Sequence, residues 1–366
     1  MEPIRVVVVD DSALVRRLVT TALRDADDIE VVGVAEDGLA AIEVVDRLLP
    51  DVVTLDIEMP RLDGLGALTR IRQQHPRLPV IMFSTLTERG ATATLDALSR
   101  GASDYVTKPS NTGRIADGIA AIREQLVPRI RALAGMRRVV GISTGSTTPG
   151  GPTTLGGSTT TGRSSVSRPV QPVRALVIGC STGGPDALAR LLPELPADLG
   201  VPVLVVQHMP PVFTALLAQR LDKASPLTVR EAADGDLVEP GTVLLAPGDF
   251  HLRLGSSAGV VRAALDQGAQ ENFCRPAVDV LFRSAVDQYA GGTLAVVLTG
   301  MGQDGLIGAR VVDEAGGRTL VQDAGTSVVW GMPGAVANAG LAAEVLPLDR
   351  MAAAIVRATR QVATSM

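Results

Sequence analysis

A chain of 366 residues, 46% hydrophobic and 20% charged, is too long for one ordinary core and suits two. A formal net charge of −5 with 2% aromatic residues excludes a basic nucleic-acid groove or a platform of base-stacking rings, so no nucleic-acid partner is expected. Two cysteines cannot build a disulfide framework, the opening MEPIRVVVVD lacks the basic start and apolar stretch of a secretory signal, and no apolar run reaches the roughly 18 residues of a membrane span; a soluble, cytoplasmic protein without membrane insertion is expected.

Over residues 1–134, short β-branched runs alternate with amphipathic segments. Strands are predicted at 4–9, 30–35, 52–55, 80–83 and 104–106, with helices at 12–24, 38–48, 64–74, 89–99 and 113–126. Five strand–helix units of this size predict a doubly wound parallel sheet. Residues 135–172 break the pattern with a Gly/Ser/Thr/Pro-rich stretch, and no acidic residue occurs between Glu124 and Asp186. Such a composition buries too little apolar surface to fold, which predicts a flexible, mildly basic linker. From 173 to 366 an α/β alternation resumes, with strands predicted at 173–179 and 201–207, helices at 186–192 and 213–223, further apolar runs at 242–246 and 294–298, and a helical pattern at 277–289.

Asp10 and Asp11 follow the first apolar strand and Asp56 follows another, so the three carboxylates can converge in the crevice beyond the carboxyl ends of a parallel sheet. Clustered carboxylates repel unless a hard cation neutralises them, and Mg²⁺, with its oxygen ligands, fits. Asp56 would then accept a phosphoryl group, its charge balanced by the metal and a cation. Lys108 suits the cation: it is one of only two lysines among 34 basic residues and lies in the turn Thr107-Lys108-Pro109 after a strand. In an Arg-biased chain, a Lys there suggests a compact point charge in place of a planar fork.

Residues 1–130 resemble two-component receiver domains through Asp10-Asp11-Ser12, Leu55-Asp56-Ile57-Glu58-Met59-Pro60, Phe83-Ser84-Thr85 and Tyr105-Val106-Thr107-Lys108-Pro109. The resemblance implies that a histidine kinase phosphorylates Asp56, and that Asp10, Asp11, Asp56 and the Glu58 backbone carbonyl help hold Mg²⁺. It also implies that Ser84 and Tyr105 change position when the phosphoryl group arrives.

In the C-terminal half, Gly179-Cys180-Ser181-Thr182-Gly183 lies between an apolar strand and a helix start at Pro185 and Asp186. Small residues allow the tight turn that projects a nucleophilic hydroxyl at a helix N-terminus, and the same turn offers N–H donors to an oxyanion. A glycine-rich turn of this kind can also cradle phosphate, and five residues alone do not separate the two uses. A serine nucleophile needs a base, and of three histidines only His208 directly follows a buried strand in the same half. His75 precedes Pro76 in a receiver loop, and His251 follows Pro247-Gly248-Asp249 in a turn that suits a structural role. Asp304, in Thr299-Gly300-Met301-Gly302-Gln303-Asp304-Gly305, is placed to orient His208; Asp249, Asp279 and Asp323 are rivals. The order Ser181, His208, Asp304 differs from the Ser, Asp, His order of α/β-hydrolases, which disfavours that fold.

These segments, with Gln207-His208-Met209-Pro210-Pro211, Cys274-Arg275-Pro276-Ala277-Val278-Asp279 and Val329-Trp330-Gly331-Met332-Pro333-Gly334, are similar to the chemotaxis protein-glutamate methylesterase family. The resemblance implies a flavodoxin-like receiver and a Rossmann-like esterase domain, both doubly wound α/β, joined by the linker. It implies hydrolysis of glutamate γ-methyl esters on methyl-accepting chemotaxis receptors, with release of methanol, and deamidation of receptor glutamines. Ser181 would attack, His208 would take its proton, Asp304 would hold the imidazole, and the N–H groups of Thr182 and Met301 would form the oxyanion hole. The esterase site would use no cofactor. Cys180 stands where the family commonly has alanine and is expected to be a small buried residue; Val212 replaces a common glycine. If the domains dock, the receiver would cover the serine site and phosphorylation of Asp56 would open it. The rival reading is a receiver joined to a domain that binds a nucleotide or protein without chemistry.

Overall fold

The computed structural model describes residues 2–108, 115–142 and 171–361. Its first sheet holds β1 (Ile4–Val9), β2 (Ile29–Ala35), β3 (Val52–Asp56), β4 (Val80–Ser84) and β5 (Asp104–Thr107), wound with α1 (Ala13–Arg24), α2 (Gly38–Leu48), α3 (Gly64–Gln74), α4 (Glu88–Ser99) and α5 (Ile115–Ile142). The strands are all parallel in the order β2-β1-β3-β4-β5, the flavodoxin-like arrangement. Side chains define the helix starts: Ser12, Asp37, Asp63 and Thr87 each accept a hydrogen bond from a first-turn N–H.

The sequence pattern ends the fifth helix at residue 126 and begins the linker at 135, but α5 continues to Ile142. It passes through Pro128, which removes one intrahelical hydrogen bond. The apolar stripe Ile122, Leu126, Ile130, Leu133 stays buried through that point, so packing outweighs the break. The remainder of the expected linker, 143–170, lies outside the described residues, as do 109–114.

The second sheet comprises β6 (Ala175–Cys180), β7 (Val203–Gln207), β8 (Thr228–Glu231) and β9 (Thr242–Leu245), followed by β12 (Thr293–Val297), β13 (Arg318–Gln322) and β14 (Glu344–Leu346). Between β9 and β12 comes a separate antiparallel hairpin, β10 (His251–Ser257) with β11 (Val260–Asp266). The helices are α6 (Gly184–Leu191), α7 (Phe213–Ala224), α8 (Val278–Tyr289), α9 (Leu306–Glu314), α10 (Met332–Asn338) and α11 (Leu348–Arg360). All seven strands of the sheet are parallel, in the order β14-β13-β12-β6-β7-β9-β8. β6 is the first of them in sequence and lies centrally, with β7 on one side and β12 on the other, so the order reverses at its carboxyl end, where open α/β sheets open their crevice.

The two sheets are not independent bodies. One apolar cluster runs from receiver residues such as Leu95, Leu98 and Tyr105 into Phe213, Leu217 and Leu188 of the second unit. Tyr105 stacks on Phe213 with ring centroids 5.0 Å apart and planes 9° from parallel. Arg220 of α7 pairs with Asp96 of α4.

Val212, immediately before α7, has φ 74. A β-branched residue is strained in the left-handed region, which is why glycine suits this position. Val212→Gly relieves about 1–2 kcal/mol of backbone strain and loses roughly 0.5–1 kcal/mol to glycine's freedom in the unfolded chain. A modest rise in the unfolding midpoint is expected in urea titration of the full chain; a fall would show that Val212 packing outweighs its strain.

Candidate active site

Two sites sit at strand ends, one on each sheet. On the receiver, Asp10 follows β1 and Asp56 ends the neighbouring β3, which brings their carboxylates together. Lys108, just past β5, reaches both, with Nζ 2.9 Å from Asp10 Oδ2 and 2.8 Å from Asp56 Oδ1. Asp10, Asp11 and Asp56 offer oxygens within 4.8 Å of one another; the first and last are buried, and Asp11 is exposed. Asp10 Oδ2 is buried, with the Lys108 ammonium as its close cation. Three carboxylates facing one lysine leave negative charge in excess, which suits a hard divalent cation with oxygen ligands, and Mg²⁺ fits this donor set.

Burial pushes the Asp56 carboxyl up to about 6; the hydrogen bond from Lys108 opposes the shift and the charge of Asp10 adds to it. Asp10 is raised for the same first reason. A bound cation would oppose both shifts by favouring the ionised carboxylates. Asp11, Asp56, Glu58, Ser84 and Lys108 line one cleft of about 220 Å³ over this cluster. Ser84 turns its hydroxyl to α4, 3.1 Å from the Gly90 carbonyl oxygen, and accepts a 2.7 Å hydrogen bond from Thr94. Tyr105 is buried against Phe213.

On the second sheet, Ser181 follows β6, His208 follows β7, and Asp304 lies beyond β12. The three strands are adjacent, so residues far apart in sequence meet at one edge. His208 N–H donates to the Cys180 carbonyl at 3.1 Å, extending the β6–β7 register to the site. The buried Gln207 amide donates to the carbonyls of both Ser181, at 3.0 Å, and His208, at 3.1 Å, tying the two turns together. The turn requires its glycines: Gly183 has φ 78, and a Cβ on Gly184 would meet Gln207 Oε1 at 1.9 Å.

Asp304 is buried and accepts from five donors: His208 Nε2 at 2.8 Å, Val278 N at 2.7 Å, and Asp279 N, Gly305 N and Asn272 Nδ2 at 3.0 Å each. Val278 and Asp279 open α8, so Asp304 caps that helix from another segment, where the helix dipole favours a negative charge. Burial works against its charge, yet the hydrogen bond with His208 and those from the backbone hold its carboxyl below the usual range.

An ionised carboxylate accepts only, so His208 carries its proton on Nε2 and Nδ1 is the basic nitrogen. Burial disfavours the imidazolium, but hydrogen bonds with Asp304 and Cys274 outweigh it and raise the His208 pKa. Among the described residues, the His208 ring hydrogen-bonds to Asp304 and not to Ser181. The backbone N–H groups of Thr182 and Met301 donate to nothing among the described residues, which leaves them available to an oxyanion.

The receiver reaches this site. Thr182 Oγ1 donates to Asp104 Oδ2 of β5 at 2.7 Å in a buried contact, and Arg129 of α5 holds the same carboxylate at 3.0 Å. A cleft of about 480 Å³ between the units is lined by Tyr105 and Arg129 from one side and by His208, Pro210, Phe273 and Cys274 from the other.

The remaining singled-out residues have other partners. His251 is buried and structural, accepting from Ala277 N at 3.2 Å and donating to the Ala269 carbonyl at 2.9 Å. His75 pairs with Asp46. Asp249 pairs with Arg275, and Asp323 accepts from Thr326 in its own turn. Cys180 is fully buried, and burial pushes its thiol well up, away from any nucleophilic role. Sequence reasoning assigned no role to Cys274 beside His208, to Asn272 on Asp304, or to Asp104 on Thr182; nothing local in the sequence marks these contacts, which arise only when distant loops meet. Among the described residues no helix is long and apolar enough to cross a membrane.

A family profile described as CheB methylesterase matches residues 176–355, and one described as response regulator receiver domain matches residues 6–120. The protein-glutamate methylesterase/protein-glutamine glutaminase of Nocardioides sp. is 52% identical over 98% of this chain and 96% of its own. That of Trichodesmium erythraeum is 48% identical over 98% and 99%. The crystal structure of the Thermotoga maritima CheB methylesterase catalytic domain is 47% identical and covers 50% of this chain and 98% of its own, with a TM-score of 0.50. With a receiver fold ahead of the matched catalytic fold and full-length relatives at this identity, the chain belongs to the protein-glutamate methylesterase/protein-glutamine glutaminase family.

Proposed function

We propose that this protein is a phosphorylation-regulated esterase that hydrolyses glutamate γ-methyl esters on the cytoplasmic helices of chemoreceptors, releases methanol, and deamidates selected receptor glutamines. Its place is the cytoplasm, and its phosphodonor is a chemotaxis histidine kinase. The observation that carries the reading is the meeting of Ser181, His208 and Asp304 at three adjacent strand ends, on a chain 52% identical over nearly its full length to a named methylesterase/glutaminase.

Ser181 Oγ attacks the γ-carbonyl carbon while His208 Nδ1 takes its proton, and the N–H groups of Thr182 and Met301 hold the developing oxyanion. His208 then gives the proton to the departing methoxide, or in the amide case to the amide nitrogen, which leaves as ammonia as its bond to carbon breaks, and a glutamyl ester remains on Ser181. Water, deprotonated by His208, adds to that ester and restores the serine. Asp304 keeps the imidazole in the Nε2–H tautomer and balances the imidazolium that forms in both steps. Esters and primary amides share a tetrahedral intermediate, so one site serves both.

Phosphorylation falls on Asp56. Asp10, Asp11, Asp56 and the Glu58 backbone carbonyl would hold Mg²⁺, which supplies neutralising charge to the phosphoryl oxygens when bound. Lys108 supplies the second positive charge. Two contacts support the regulatory part of the reading. Asp104 grips the hydroxyl of Thr182, whose N–H serves the oxyanion hole, and Tyr105, a switch residue, stacks on Phe213. A phosphoryl group that draws Ser84 and Tyr105 towards Asp56 would loosen both and free the cleft.

Methanol release from a methylated receptor cytoplasmic fragment should vanish in Ser181→Ala and rise when wild type receives a small phosphodonor with Mg²⁺. Asp56→Asn should lose only the rise. Release that persists in Ser181→Ala would overturn the nucleophile.

The base must be neutral, so activity is present above the His208 pKa and is lost as pH falls through it. Because that pKa is raised above the model-compound value of 6.5, the acid limb of kcat/KM should lie above that pH. Asp304→Asn should lower kcat by about 10²–10⁴ and move the imidazole titration, followed by NMR, to lower pH. An unmoved titration would show that Asp304 does not support the imidazolium.

A further inference from the structure

Beside the catalytic carboxylate lies a second one that hydrolysis does not use. Asp279, in the first turn of α8, is buried, and its Oδ1 accepts from Gly308 N of α9 at 2.6 Å. Its Oδ2 accepts from Asn272 Nδ2 at 3.0 Å, and the same nitrogen reaches Asp304 Oδ1 at 3.0 Å. Two acceptors demand a donor between them, so the amide of Asn272 can face them only with its NH₂ end. Without that group, two carboxylates would stand side by side in a buried site with backbone N–H groups around them and the His208 ring on Asp304 alone, and close carboxylates resist joint ionisation.

The backbone holds the amide in place. Glu271 and Cys274 exchange both backbone hydrogen bonds, at 3.2 and 2.9 Å, and the two residues between them have positive φ, 52 at Asn272 and 62 at Phe273. This is a two-residue turn of type I′, in which asparagine is favoured at the first central position. Arg283 of α8 anchors Glu271 at 2.6 Å. The turn therefore aims Asn272 inwards onto the carboxylates, sets Cys274 against His208, and leaves Phe273 97% exposed.

We propose that Asn272 is a positioning residue for the hydrolysis: by bridging Asp304 and Asp279 it lets both buried carboxylates keep their places, so that Asp304 stays charged and aligned on His208 Nε2. The proposal rests on the assignment of His208 and Asp304 as base and orienting acid. The opposed shifts of the two carboxyls, Asp304 downwards and Asp279 upwards mainly through burial, agree with it. The charged and titratable groups facing the pair are His208, Cys274, Glu271 and Arg283.

Asn272→Gly deletes the amide and keeps a residue at ease with positive φ, so the turn should still form. Loss of one hydrogen bond to a charged group predicts a fall of about tenfold or more in kcat, with KM for the methylated receptor fragment changed by less than about twofold. The carboxylates would then share a proton, His208 would lose part of its counter-charge, and the acid limb of kcat/KM should move to lower pH. Adding Asp279→Asn removes one of the two competing charges and should recover most of the lost rate, which a purely structural defect would not. The His208 imidazole titration in the full chain, read by NMR, should move down in Asn272→Gly and back in the double variant; it needs no substrate. Unchanged kcat and titration in Asn272→Gly would overturn the proposal, as would a loss of rate with an unmoved titration and no recovery. Absence of methanol release from wild type, or its persistence in Ser181→Ala, would overturn the esterase reading instead, while the titration would still decide the role of Asn272.

Discussion

The buried charge of Asp304 is the constraint around which the catalytic half is arranged. A carboxylate in that position is tolerable only with donors on all sides, and this one has five, two of them from the N-terminus of α8. Meeting that requirement fixes α8 against the end of β12, and α8 carries Asp279, which in turn caps α9. The carboxylate that holds the His208 ring is thus also a structural pin for α8. Its strongest single partner is His208, so the geometry of catalysis and the stability of this corner cannot be separated.

Parallel strands make the arrangement economical in chain. β12, β6 and β7 end at the same edge, and each needs only a short turn to present one functional residue. The nucleophile turn is locked by the Gln207 amide and by close approach at Gly184, leaving Ser181 little freedom. In the docked arrangement the imidazole is held by Asp304, and among the described residues no hydrogen bond joins it to the serine hydroxyl.

The receiver's influence is equally local in its chemistry. β5 contributes Asp104 to Thr182 and Tyr105 to Phe213, while α4 and α5 add Asp96 and Arg129. Lys108, which bridges Asp10 and Asp56, lies one residue past β5. Under the proposed function, a change of charge at Asp56 would act through this single strand end on Thr182, the neighbour of Ser181. The apolar continuity between the two units explains why they dock, and the polar contacts at the rim explain how docking can be biased.

Alternation of β-branched runs and amphipathic segments was enough to predict the receiver fold, since β1, β3 and β4 are almost wholly buried apolar runs. Ser181, His208 and Asp304 could be named as candidates because each follows a buried strand and because histidine is scarce, and the three do lie at adjacent strand ends. The reading of α5 stopped short at residue 126, whereas the stripe through Ile130 and Leu133 continues past Pro128. Short or mixed elements such as β8, β13 and the β10–β11 hairpin escaped it, because four to seven residues that mix apolar with polar or charged side chains carry little periodic signal. Residue types and their strand-end positions, then, were local properties that the chain itself specified. Which loops meet was not local: the Asn272 bridge, Cys274 against His208, and Asp104 on Thr182 join residues 32, 66 and 78 positions apart. Only packing of the sheets and docking of the two units bring such groups within hydrogen-bond range, and a hydrogen bond depends on distances of tenths of an ångström that no sequence spacing encodes.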